Sequence, residues 1–304
     1  MKDKDIGLFE KHEQKDDELI SDNLFEENEN PSLMDLDIES QSIINENSIP
    51  RSLSDIPETI TSIKGLDDLK TMLGLFHLQG YGFLFRGHAS KSFDLLPTIV
   101  RNKVRDFAQE KVILESFKSI CQSFGYDKYW MKAFDKDLYY LGIGRHLGLF
   151  SRLLDWTAGI DDALSFLMDE KFMDNDGELY VLAYQKEKLI LENRDPFLIN
   201  DNKVHILQEH YYCPDETDLP LGIYRRFRQH GFFTVQSEGL LNVSLSDLAK
   251  QSGFSLINVS IPKDTKALLK DYDRLTSLDW LYVDKDEPIL KEIDNLNGKF
   301  ERVS

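Results

Sequence analysis

Cysteine is almost absent from this chain. Cys121 and Cys213 are the two in 304 residues, far apart and outside any CxxC spacing, so neither a disulfide framework nor a thiolate zinc site is expected. Long hydrophobic runs are missing too. No stretch of about 18 apolar residues occurs, and the opening "MKDKDIGLFEKHEQKDDE" lacks the apolar core of a signal peptide. Membrane insertion and secretion are therefore not expected, and the cytoplasm is the default compartment. Basic residues are in deficit, 36 Lys+Arg against 54 Asp+Glu, for a net charge of -18. An acidic chain repels nucleic-acid phosphates unless a local basic stripe compensates, which argues against nucleic-acid binding as the main activity. The GxSxG elbow of serine hydrolases and the GxxxxGK[ST] and GxGxxG phosphate loops do not occur.

The acidity is concentrated at one end. Residues 1–50 hold 15 Asp+Glu against 4 Lys, a balance of -11, leaving -7 for the remainder. Residues 1–55 show no sustained hydrophobic period and cannot bury enough apolar surface to offset chain entropy, so they read as a mostly disordered tail. Within it "NPSLMDLDIESQSIINE" carries short apolar clusters that suit a segment folding onto a protein partner. Residues 56–304 read as one domain. With 41% apolar and 11% aromatic residues the chain can build a sizeable core.

From Ser62 the pattern is helical, with Leu66, Leu69, Met72, Leu73 and Phe76 on one stripe until Gly80. "YGFLFRG" then reads as a central strand, apolar on both faces up to Arg86. Helices are expected over about 104–124, with Cys121 as a small core residue, and over about 135–147. A strand, a turn and a short helix follow in "GLFSRLLDWTAGIDDALSFLMDEKF". "ELYVLAY", "RRFRQHGFFTVQSEG" and "FSLINVSIP" read as further strands, residues 186–218 as long loops and short helices, and the C-terminal region as two helices around an extended piece. The fold class expected is α+β, a central, mostly antiparallel or mixed sheet with flanking helices.

Three segments place polar groups beside apolar runs: Arg86-Gly87-His88, residues 145–157, and residues 225–233. Strand alternation sends Arg152, Leu154 and Trp156 to one face and Leu153, Asp155 and Thr157 to the other. Asp155 and Thr157 can then face one pocket, although capping of the helix beginning near Ile160 is an equally ordinary task for such residues and the better assignment for Thr157. Arg86 at a strand end is suited to pairing with Asp155. Gly87 permits either an unusual backbone conformation or close approach of a ligand's phosphate or ribose. His88 and His146 are candidates for proton carriage or plain hydrogen bonding. His205, His210 and Cys213 resemble a ligand cluster, but five residues turn a helix by about 140°, so the two histidines would not share a helical face and no metal is expected.

"FLFRGHASKSFDLLPTIVR", "RHLGLFSRLLDWTAGIDDALSFL" and "RRFRQHGFFTVQSEG", in that order, resemble the FRG domain, a bacterial and phage-associated family named for its Phe-Arg-Gly signature, over about residues 62–295. The matching positions are Phe85, Arg86 and Gly87; His146, Gly148 and Arg152 through Thr157; and Gln229, Gly231 and Phe233. His88 and Arg145 stand where glutamine is usual, and Ser151 where threonine is usual. The order of motifs is in turn similar to that of ADP-ribosyltransferase folds. That likeness implies a dinucleotide site with NAD as substrate and Arg86, Asp155, Thr157 and Gln229 as its catalytic residues, Arg86 on the diphosphate or ribose, Gln229 near the reacting ribose and Asp155 supplying negative charge. Arg86, Gly87, His88, His146 and Arg152 would bind the dinucleotide. It also implies work as a toxin or antiphage effector. The alternative is a non-catalytic module that uses the same polar cluster to recognise a ligand or protein.

Overall fold

A computed structural model describes residues 50–101, 107–129, 135–188, 194–207, 221, 225, 231–272, 275 and 288–301. The acidic tail before residue 50, Gln229, His210 and Cys213 lie outside the described residues.

Helix α1 (Ile63–Leu78) begins at Ser62, whose hydroxyl accepts the Gly65 N–H, and buries Leu66, Leu69, Leu73 and Phe76, apolar residues recurring every three or four positions. Gly80, at φ 91°, makes the reversal into strand β1 (Tyr81–His88). There follow α2 (Phe107–Ser123), α3 (Lys136–His146), β2 (Leu154–Thr157), α4 (Ile160–Ser165), β3 (Gly177–Gln185) and β4 (Val204–Leu207). The chain then runs through β5 (Gly231–Gln236), α5 (Leu245–Ala249), β6 (Ser255–Ile261), α6 (Lys263–Leu269) and α7 (Pro288–Glu301). The fold is α+β. Strand β4 lies in the region read as loops and short helices, because four residues, "VHIL", are too short a run to stand out among polar neighbours.

The six strands form one sheet in the order β4-β5-β2-β1-β3-β6, and every neighbouring pair is antiparallel. On one face Phe83, Phe85, Leu179, Val181 and Ala183 pack with α1 and α4, while Phe233, Val235 and Leu153 pack with α2, α3 and α7. On the other face Leu84, Leu154, Trp156, Tyr180 and Leu182 pack under α5. Leu154 and Trp156 on one side and Leu153 on the other agree with the alternation read along β2. The Trp156 indole donates to the Thr234 hydroxyl at 2.9 Å, so this large buried ring leaves no polar atom stranded.

The pairing around β1 is lopsided. It is matched to β3 along eight positions, Tyr81↔Gln185 to His88↔Glu178, but to β2 at Phe85↔Thr157 alone. Past that pair β1 and β2 diverge, and the opening between them is where the polar residues of the first two motifs collect.

Candidate functional site

The opening is a cavity of about 260 Å³. β1 supplies Phe85, Arg86, Gly87 and His88 to its wall, and β2 supplies Asp155, Trp156 and Thr157. Arg145 from the last turn of α3, Arg101 from the turn Thr98–Arg101, and Ala89, Phe93, Phe166 and Asp169 complete the lining among the described residues.

Asp155 is the hub. Its Oδ1 lies 2.8 Å from Arg86 NH1 and 2.6 Å from Arg145 NH2, and Arg86 NH1 also donates to the Asp155 carbonyl at 2.6 Å. Arg86 projects from the sheet face opposite to that of Asp155, and reaches it because the strands have parted. Both guanidinium groups sit at ion-pair distance from Oδ1, yet neither aligns an N–H for a hydrogen bond, so the contact is charge pairing more than directed bonding. Burial by itself would raise the Asp155 pKa, but Arg145 and then Arg86 outweigh it and hold the carboxyl far below the usual carboxylate range.

A depressed pKa stabilises the fold above the unfolded-state value of about 3.9, and that contribution is lost as pH falls below about 4 toward the folded value. Wild type should therefore lose more stability than Asp155→Asn when denaturant unfolding is repeated at pH 7 and then at pH 3. Equal losses in the two proteins would show that Asp155 is not held in this way.

His88 does not carry protons near neutrality. Its Nε2 accepts from Arg86 Nε at 2.9 Å, which leaves the ring proton on Nδ1, 3.3 Å from the Phe93 carbonyl that accepts it. Burial first, and the Arg86 charge next, push its pKa down to about 3. The imidazole is a neutral prop that fixes the Arg86 guanidinium, a task that the amide oxygen of a glutamine can also perform.

Other sequence candidates have different positions. Gly87 has no positive φ; it is needed because the Ala163 carbonyl oxygen of α4 sits 1.8 Å from where its Cβ would be. The close approach is by the protein's own helix, not by a ligand. The Thr157 hydroxyl lines the cavity but accepts the Gly159 N–H at 3.0 Å and donates to Asp162 at 3.3 Å, steadying the start of α4. His146 is buried behind the site, its ring 5.3 Å from that of Phe233 and its carbonyl accepting from Arg225. Arg152 is away from the cavity. It is 1% exposed, paired with the fully buried Glu110 at 2.7 Å and stacked 4.3 Å from the Phe197 ring, so its assignment to a bound dinucleotide gives way to a core role.

Gly148, at φ 94°, terminates α3 and frees Arg145 and His146 to end the helix at the site. Residues 81–176, from the first residue of β1 to the turn before β3, match the family model of the FRG domain. The chain carries an FRG domain. The match is narrower than the 62–295 expected from the ordered motifs, since Gly231 and Phe233 of the third lie beyond it, on β5 beside β2 in the pairs Thr157↔Gly231 and Asp155↔Phe233. Comparisons with curated proteins and with solved structures gave no match. Among the described residues, no helix is long and apolar enough to cross a membrane.

Three charged residues lining the FRG site were given no role from sequence. Arg145 was hidden by its neighbour, because histidine is the more familiar chemical group in "RH". Arg101 sits at the end of "LPTIVR", and its position depends on Thr98, which bonds Ser151 in both directions, accepting from its N–H at 3.0 Å and donating to its carbonyl at 3.2 Å. Asp169 belongs to the turn after α4 and its Oδ1 accepts the Lys171 N–H. A rule that weighed every arginine beside a family motif, not the signature arginine alone, would have found the first two.

Proposed function

We propose that the FRG cavity binds NAD and cleaves its N-glycosidic bond to nicotinamide, passing the ADP-ribosyl group to an acceptor or to water. The observation that carries this reading is the convergence of Arg86 and Asp155, from two separate sequence motifs, with Thr157 on one cavity. In the reaction the bond between ribose C1′ and the nicotinamide nitrogen breaks, and nicotinamide leaves with the electron pair. The ribosyl carbon, cationic in the transition state, is taken by the acceptor oxygen or nitrogen, whose proton goes to solvent. The protein's part is to position the dinucleotide and stabilise the developing charge. Arg86, braced by Asp155 and His88, is a preorganised cation for the dinucleotide. Asp155 is committed to two guanidinium groups, so Asp169 is the wall carboxylate better suited to face the ribosyl cation. An activity that consumes NAD or modifies a target suits a toxin or an antiphage effector.

The same charge pairing favours a second reading. With Asp155 neutralised by arginines and His88 held neutral, neither supplies a base near pH 7, which suits a module that recognises its ligand without turning it over. Incubation of the full chain with NAD, followed by measurement of nicotinamide, separates the two. Release by wild type that falls at least 100-fold in Arg86→Ala is expected. Binding of NAD without release in any condition, cell extract included, would leave the recognition reading.

A further inference from the structure

We propose that Arg101 and Arg145 form a subsite for a phosphate or diphosphate group. The assignment rests on the reading of the cavity as the ligand site, and it locates within that site the anionic part of the ligand.

Three guanidinium groups, from Arg86, Arg101 and Arg145, face a cavity whose two wall carboxylates are Asp155 and Asp169. With His88 neutral, the lining keeps a positive surplus in a chain whose net charge is -18. The surplus is unevenly committed. Arg86 is occupied three ways, by the Asp155 carboxylate, the Asp155 carbonyl and His88. Arg145 reaches Asp155 through NH2, while its buried Nε has no hydrogen-bond partner. Arg101, exposed at the rim, forms no side-chain hydrogen bond or ion pair among the described residues. The protein around Arg101, and then the charges of Arg145 and Arg86, lower its pKa to about 10, against the opposing pull of Asp155 and Asp94. That crowding is what an incoming dianion would relieve.

Guanidinium groups suit this ligand because their planar N–H pairs match two phosphate oxygens at once. The position of Arg101 is set in advance, since the Thr98 and Ser151 bonds fasten its turn to the segment that leads into the strand carrying Asp155. The volume of about 260 Å³ falls just under the range of about 300–1,000 Å³ usual for small-molecule sites, so the cavity takes a phosphorylated portion of a larger ligand better than the whole.

The probe is inorganic pyrophosphate, titrated into the full chain by calorimetry at constant ionic strength, with inorganic phosphate in parallel. Wild type should bind pyrophosphate saturably. Arg101→Gln should bind it at least 10-fold more weakly while its ligand-free melting temperature stays at the wild-type value, because the side chain is exposed and makes no pair to lose among the described residues. Arg145→Ala serves as the second variant and should weaken binding as well. Absence of saturable binding by wild type, or wild-type affinity in Arg101→Gln, overturns the subsite. Pyrophosphate binding without nicotinamide release from NAD upholds the subsite and removes the dinucleotide reaction. Nicotinamide release without pyrophosphate binding does the reverse.

Discussion

Replacing Gly87 with alanine should destabilise the domain by about 3 kcal/mol or more, the upper end of what overpacking costs. The added Cβ would stand 1.8 Å from the Ala163 carbonyl oxygen and 2.9 Å from its carbon, both backbone atoms with no rotamer to change. β1 cannot yield, because it is paired along its full length to β3, and α4 cannot retreat without uncovering Ala163 and Leu164, which are fully buried. At about 2–4 °C per kcal/mol for a chain approaching this size, the melting temperature should fall by roughly 6–12 °C. Gly239→Ala is the control. Its Cβ would meet nothing within 4 Å, and a change within about 0.5 kcal/mol is expected. A Gly87→Ala protein as stable as the control would mean that the helix does not press on the strand.

Arg152→Ala should cost about 3–5 kcal/mol, the usual penalty for leaving one member of a buried ion pair behind. Glu110 is fully buried, and Arg152 satisfies it twice, through the backbone N–H at 2.9 Å and Nε at 2.7 Å. Burial already raises the Glu110 pKa against the pull of Arg152, so without its partner the carboxyl must take a proton or draw in water. The double variant Arg152→Met, Glu110→Leu removes both charges at similar volume and should recover most of the loss, since apolar replacement of a buried pair is often neutral or better. Urea unfolding of the three proteins measures this. If Arg152→Ala keeps wild-type stability and instead loses ligand affinity, Arg152 belongs to the site after all.

What could be read from sequence follows the range of the interaction. Alternation along β2 is local and correctly parted Asp155 and Thr157 from Trp156. The strand-end position of Arg86 and the carboxylate at Asp155 were legible for the same reason, each lying at the edge of an apolar run. The Arg152 partner lies 42 residues upstream, on a helix whose register no local pattern reveals. The role of Gly87 was equally out of reach. Glycine in "FRG" permits close approach, but whether a ligand or the Ala163 carbonyl makes that approach is decided by the packing of α4. Cys121, read as core, is buried, with its thiol pKa pushed up by burial.

The single pair Phe85↔Thr157 divides the sheet mechanically. β4, β5 and β2 form one panel, β1, β3 and β6 another, and the two are riveted together by Arg86 on Asp155 and underpinned by α4. A seam of this kind can widen without unzipping a ladder on either side. An anion that draws Arg86 away from Asp155 would therefore remove the rivet, leaving the pair Phe85↔Thr157 and the packing of α4 to hold the two panels together.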